Sequence, residues 1–291
     1  MKQFLYKTII AVVAVVLVYE FTVAKQIKKF SRQGLISSYK ELFINSDKYL
    51  PTFDDGFKDH IFAAEVLKKF GAIGIFFIPT LPLHNNDILD VHKTHLIIGK
   101  IKATVVLKEL KKYLKKNNIK NYVNKIEKKK FKIAYKNQKE ELSKIEFKKI
   151  MNYYGDIKIK NKILNYLLKK FDIDVKPENY YLSKKEIKYI ASLGMIIGSH
   201  SDSHTLLTRL SYKEQLKEIK NSKTSLEKLI NKKVEVFCYP YGGKISYNKS
   251  TLYILRKLKF KLAYSVEYRD ILKSDLEKNP FELPRYDCNL F

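Results

Sequence analysis

Short apolar runs alternate along this chain with longer segments of helical period. Tyr49–Phe53, residues 72–78, Met195–Ser199 and Val234–Cys238 are apolar stretches of strand length, each running into a polar or glycine-rich turn. Helix starts are marked between them. Ser183-Lys184-Lys185-Glu186 and Ser211-Tyr212-Lys213-Glu214 are Ser-x-x-Glu capping boxes, in which two side chains satisfy orphan amides of the first turn. Ile187, Ile190 and Ala191 follow the first box, and Leu216, Ile219, Leu226, Leu229 and Ile230 follow the second at helical spacing. Gly71 and Gly194 stand where helices should stop, just before strands. Strand–helix alternation predicts a parallel sheet. Residues 81–182 interrupt it with a large, mostly helical insertion.

The N-terminus carries the longest apolar run, Thr8 to Tyr19, with Lys2 and Lys7 before it and Glu20 after it. At about a dozen residues it falls short of the ~20 that span a bilayer. Three readings fit: the core of an export signal with Thr22-Val23-Ala24 as a poor cleavage site, an uncleaved anchor from Phe4 to Ala24, or a first strand rich in Val and Ile. Residues 1–24 are therefore set apart, with a membrane or export role preferred. Residues 25–291 form one domain that contains the insertion.

Charge changes the picture of the insertion. The 291-residue chain has a formal net charge of +27, and residues 100–149 hold 18 Lys against five acids. Val105, Val106, Leu107, Leu110 and Leu114 lie among these lysines, which predicts amphipathic helices with Lys-rich outer faces. Such faces suit an anionic glycan or lipid, or are simply solvated. Nucleic acid is disfavoured, because no phosphate loop, zinc-finger spacing or RNA-binding aromatic motif accompanies the charge. Two cysteines, Cys238 and Cys288, exclude a disulfide framework and a Cys-rich zinc site.

Two small clusters bear chemistry. Thr52-Phe53-Asp54-Asp55-Gly56 offers paired carboxylates, and His200-Ser201-Asp202-Ser203-His204 offers two imidazoles at i and i+4, a spacing that a helical turn places on one side. Alone, the first is an ordinary Asp-Gly turn and the second a pair of surface or packing histidines. Both follow strands, where α/β folds place their sites. Together they supply ligands for a divalent transition metal plus a carboxylate left over to take a proton from water.

A third segment, Cys238-Tyr239-Pro240-Tyr241-Gly242-Gly243, completes a pattern that resembles the polysaccharide deacetylases, carbohydrate esterases with a NodB-type domain. The resemblance covers roughly residues 48–80 and 183–290. It implies an α/β fold, a distorted (β/α) barrel, here with the Lys-rich helical insertion, and metal-dependent removal of acetyl groups from a glycan or its precursor. It implies Asp54 as general base, Asp55, His200 and His204 as ligands of zinc or a similar ion, and Tyr241 at the oxyanion site. Two departures stand out. Cys238 replaces an Arg found in many members, and Arg285, in Leu283-Pro284-Arg285, is either its substitute beside Asp54 or a surface arginine near the C-terminus. No histidine follows His204, so His95 is the candidate for the acid that protonates the leaving group. The rival expectations are a non-catalytic glycan-binding protein on the same fold, or a membrane-surface protein. The expected location is the membrane or cell envelope, with the cytoplasm as the alternative.

Overall fold

A computed structural model describes residues 5–11, 27–28, 35, 38, 48–85, 87–132, 134–135 and 140–287. The chain divides into two compact units, Met1–Asn85 with Glu178–Phe291, and Asn86–Pro177.

The first unit is built on an eight-stranded sheet: β1 Leu5–Ala11, β2 Tyr49–Phe53, β3 Ile75–Ile78, β4 Ile196–Ser199, β5 Val236–Cys238, β6 Leu262–Tyr264, β7 Ile271–Leu272 and β8 Tyr286–Asp287. Strands β1 to β6 are neighbours in sequence order and all parallel, as the alternation predicts. The remaining edge of β1 pairs antiparallel with β7 and parallel with β8. Leu283, three residues before β8, bridges to Tyr264 of β6. The last segment thus runs between the two ends of the sheet and curls it into a distorted barrel.

Alternation along each strand separates two apolar layers, since successive side chains point to opposite faces. Ile75, Phe77, Val236, Cys238, Leu262 and Tyr264 pack together on the inside with Leu50 and Leu283. Phe53, Phe76, Ile78, Ile197, Phe237 and Ala263 face outward against the helices. Those helices contribute Ala63, Ala64 and Leu67, then Ile187 and Ile190, Ile219 and Leu226, and Ile254 and Leu255. With both faces covered, the strands read as continuous apolar runs.

The helix signals are realised. Ser183 and Ser211 form reciprocal capping boxes with Glu186 and Glu214 at the starts of helices Lys184–Ser192 and Tyr212–Ile230. Gly71 and Gly194 follow their helices with φ of 63° and 91°, left-handed values that side chains resist. Gly198 in β4 answers a different demand. A Cβ there would lie 2.6 Å from Cε1 of Phe77 and 3.0 Å from Cγ2 of Val236. Gly198→Ala is expected to cost about 1–3 kcal/mol through overpacking, read as a lower denaturation midpoint; an unchanged midpoint would show that Phe77 yields freely.

Strand β1, Leu5–Ala11, takes in the start of the N-terminal apolar run and pairs with β2 from Lys7↔Tyr49 to Ala11↔Phe53. Residues 12–26, which include the proposed cleavage site Thr22-Val23-Ala24, lie outside the described residues, as does Cys288. Among the described residues no helix is long and apolar enough to cross a membrane.

The second unit is narrower than the insertion expected from the sequence: helix Leu81–His84 and residues 178–182 belong to the first. It contains helices Asp90–Lys100, Ala103–Lys116, Lys125–Lys130 and Leu142–Lys149, the last continuing as a π turn through Tyr154, and then Ile157–Lys170. Ala103, Val106, Leu110 and Tyr113 form the buried stripe of Ala103–Lys116, whereas Val105 is exposed. Not every lysine faces outward. Lys93, Lys148 and Lys160 are buried, with ammonium groups 2.7 Å from Asp87, 2.8 Å from Glu140 and 3.3 Å from Asp90. A charge run read from sequence alone does not show which members the helix packing turns inward.

Candidate active site

The site lies at the C-terminal ends of β2, β4 and β5. Phe53 belongs to the outer layer, so the following side chain, Asp54, turns inward. Arg285 meets it with a two-pronged bond, Nη1 to Oδ1 at 2.9 Å and Nη2 to Oδ2 at 3.0 Å. The same guanidinium donates to Thr52 Oγ1 at 3.1 Å and to Cys238 Sγ at 2.8 Å, and lies 5.5 Å from the Phe77 ring centre. The surface reading of Arg285 fails, because the residue is 0% exposed. It sits on the segment that closes the barrel.

Charge decides the state of Asp54. Burial would raise its pKa, but the charges of Arg285 and His200, with the hydrogen bonds from Arg285, outweigh this and hold it below the ordinary carboxylate value. Burial pushes the Cys238 thiol well up, so it remains a neutral S–H, 3.5 Å from Asp54 Oδ2. Cys238 thus leaves the inner layer apolar while Arg285 brings the charge from the segment just before β8.

Asp55 follows with φ of 74°, which turns its carboxylate away from its neighbour's course. His200 comes directly after β4, and its Nδ1 is 2.9 Å from the main-chain oxygen of Cys238. With Nδ1–H donating to that carbonyl, Nε2 is the nitrogen left for the site. The expected helical turn is absent. Residues 200–204 form an irregular loop, with Ser201 at φ 60° and His204 at φ 56°. This loop, rather than an i, i+4 helical face, brings the two imidazoles to a centroid separation of 4.7 Å.

Both Nε2 atoms face one oxygen, Asp55 Oδ1, at 3.5 Å for His200 and 3.3 Å for His204. Tetrahedral bonds of about 2.0–2.2 Å to a zinc-like ion separate neighbouring donors by about 3.3–3.6 Å. The spacing and the nitrogen–oxygen donor set therefore fit a divalent transition metal. A second grouping, Asp54, His200 and Cys238, also lies within ligating range, but Arg285 already occupies that carboxylate and places a positive charge against the thiol.

Tyr241, at φ 66° in the loop after β5, sets its ring 5.0 Å from that of His204 and tilted 58° to it. His60 begins helix His60–Lys69, fully buried among Phe53, Phe57 and Phe76. Burial lowers its pKa to about 4, despite the nearby charges of Asp55 and Asp54, so the ring is neutral near pH 7. His95 lies exposed on helix Asp90–Lys100 of the second unit. Sequence reasoning missed Thr52 as a partner of Arg285. It also missed Thr80, whose hydroxyl donates to Asp202, and Glu218, which binds the histidine loop. The one available signal for Glu218 was a carboxylate directly before Ile219 of the apolar stripe.

The sequence profile of the polysaccharide deacetylases matches residues 45–263. The chain belongs to the polysaccharide deacetylase family. A stretch of 50 residues is 46% identical to the peptidoglycan-N-acetylmuramic acid deacetylase PdaC of Bacillus subtilis (strain 168), covering 17% of this chain but only 11% of that protein. Two solved structures share the fold of this polysaccharide deacetylase. The Streptococcus pyogenes deacetylase PplD, solved with acetate, has a TM-score of 0.54 and 17% identity over 97% of this chain and 90% of its own. IcaB from Ammonifex degensii has a TM-score of 0.55 and 14% identity over the same shares.

Proposed function

We propose that this polysaccharide deacetylase removes N-acetyl groups from a cell-surface glycan or its precursor with the help of a divalent metal, zinc being the first choice. The observation that carries the proposal is the convergence of Asp55, His200 and His204 at tetrahedral donor spacing beside a carboxylate held ionised by Arg285. The PdaC stretch, from a peptidoglycan deacetylase, supports an envelope glycan as substrate and the cell envelope as the place of action.

Asp55, His200 and His204 would hold the ion, which when bound supplies Lewis-acid polarisation of the acetyl carbonyl and a lowered pKa for the attacking water. Asp54 accepts the proton of that water. Arg285 keeps Asp54 ionised and turned to one orientation, which removes a reorganisation step from the barrier. The main-chain amide of Tyr241 donates to the oxyanion as the carbonyl becomes tetrahedral. Asp54 then returns its proton to the leaving nitrogen, in preference to His95, because it already carries that proton beside the reacting atoms. Its low pKa makes the protonated form a ready donor.

The purified protein is expected to bind one equivalent of zinc or cobalt and to release acetate from an N-acetylhexosamine oligomer. Stripping the metal with a chelator should abolish release, and adding it back should restore it. Full activity after verified removal of the metal would overturn the proposal.

A further inference from the structure

The loop that carries the histidines does not hold its own shape. Ser201 and His204 both sit in the left-handed region, which L-residues enter only when their surroundings impose it. His200 is anchored by its bond to the Cys238 carbonyl, and the amide of His204 reaches back to Ser201 Oγ at 3.1 Å. Between them, Asp202 and Ser203 are held from outside the loop. Thr80 donates its hydroxyl to Asp202, and the amide of Leu81 donates to the Asp202 carbonyl at 2.9 Å. The largest share falls to Glu218 on helix Tyr212–Ile230. Its Oε2 accepts from the amides of Asp202 at 3.2 Å and Ser203 at 2.8 Å, and its Oε1 accepts from Ser203 Oγ at 2.8 Å.

Two features set Glu218 apart from an ordinary helix-surface acid. All three of its hydrogen bonds go to the two residues midway between the histidines, and no cation stands opposite it among the described residues. Glu218 is half-buried, and burial together with the neighbouring charge of Asp202 pushes its pKa up even against those three bonds. Helix Tyr212–Ile230 is itself fixed against the sheet through Ile219, the next residue, and Leu226. The carboxylate therefore ties a strained loop to a rigid element, one residue from a core anchor.

We infer that Glu218 is a positioning residue for the metal: by clamping Asp202 and Ser203 it sets the spacing at which His200 and His204 present their Nε2 atoms to one ion. The inference rests on the metal reading of Asp55, His200 and His204 given above. Groups that orient metal ligands from behind change metal affinity by about 10–100-fold when removed.

The experiment measures the cobalt dissociation constant by competition with a chromophoric chelator, together with the visible spectrum of the bound ion. It compares the intact protein with Glu218→Gln, Glu218→Ala and Glu214→Ala. Glu214 caps the same helix without touching the loop, so its loss weakens the helix alone. Glu218→Ala is expected to weaken cobalt binding about 10–100-fold and to alter the spectrum. Glu218→Gln, which keeps an oxygen acceptor for the two amides, should fall between it and the unsubstituted protein. Glu214→Ala should bind cobalt normally. If Glu218→Ala does not fold, Glu218→Gln carries the comparison. Unchanged affinity and spectrum in the Glu218 variants, with normal binding by the unsubstituted protein, would overturn the inference alone. Failure of the unsubstituted protein to bind cobalt would overturn the metal reading, and this inference with it.

Discussion

Asp54→Asn is expected to lower kcat by roughly 10²–10⁴-fold, the usual contribution of a general base, while metal stoichiometry stays at one. The substitution preserves size and one acceptor for Arg285, but it removes the lone pair that takes the proton of water. Asp55, His200 and His204 keep their spacing, so the variant separates the base from the ligands. It also leaves Arg285, which is 0% exposed, without its counter-charge. The kinetics are therefore best measured well below the variant's own unfolding transition. Retained metal with lost turnover supports the assignment, and turnover close to the unsubstituted rate would remove Asp54 from the mechanism.

Arg285→Met should be the most destabilising single change at the site. A buried ion pair broken from one side costs about 3–5 kcal/mol, because the remaining charge stays desolvated. Asp54 is only 12% exposed, so its carboxylate has little water to turn to. The pH dependence has a definite sign. In the intact protein the folded pKa of Asp54 lies below the unfolded value of 3.8. The pair's contribution is therefore fully present above that value and is lost as pH falls through the folded pKa. Without Arg285, burial becomes the dominant influence on Asp54 and raises its folded pKa, so the variant suffers most near neutrality and recovers relative to the intact protein in acid. Urea unfolding at pH 7 and near pH 4 checks this. Activity should show the same cause, with the acid limb of kcat/KM displaced upward. Equal stability at pH 7 would mean that water or another cation serves Asp54.

Much of the fold was legible because its determinants are local. The capping boxes at Ser183 and Ser211 and the helix stops at Gly71 and Gly194 need only a few neighbouring residues. The strands were found as apolar runs because both faces of the sheet are covered. The two halves of the site could be recognised for a related reason. Asp54-Asp55 and His200 each follow a strand directly, and the order of residue types in each motif carries its chemistry.

Other features depended on contacts that no local pattern records. The histidine spacing suggested a helical turn, but Ser201 and His204 adopt left-handed values imposed in part by Glu218 and Thr80. The lysines of the insertion looked uniformly exposed, yet three are turned inward to carboxylates by the packing of their helices.

The sequence by itself determined which strands and helices form, their parallel order, and the residue types that can bind a metal and move a proton. The tertiary structure alone decided that Arg285, 231 positions from Asp54, becomes its buried partner. It also decided that Cys238 can stay a neutral thiol beside that pair, and that one oxygen of Asp55 lies 3.3–3.5 Å from the Nε2 atoms of both histidines. Closure of the barrel is the physical reason. Bringing Leu283–Asp287 between β6 and β1 brings Arg285 and Asp54 together, and that pairing is a property of the closed sheet rather than of either segment.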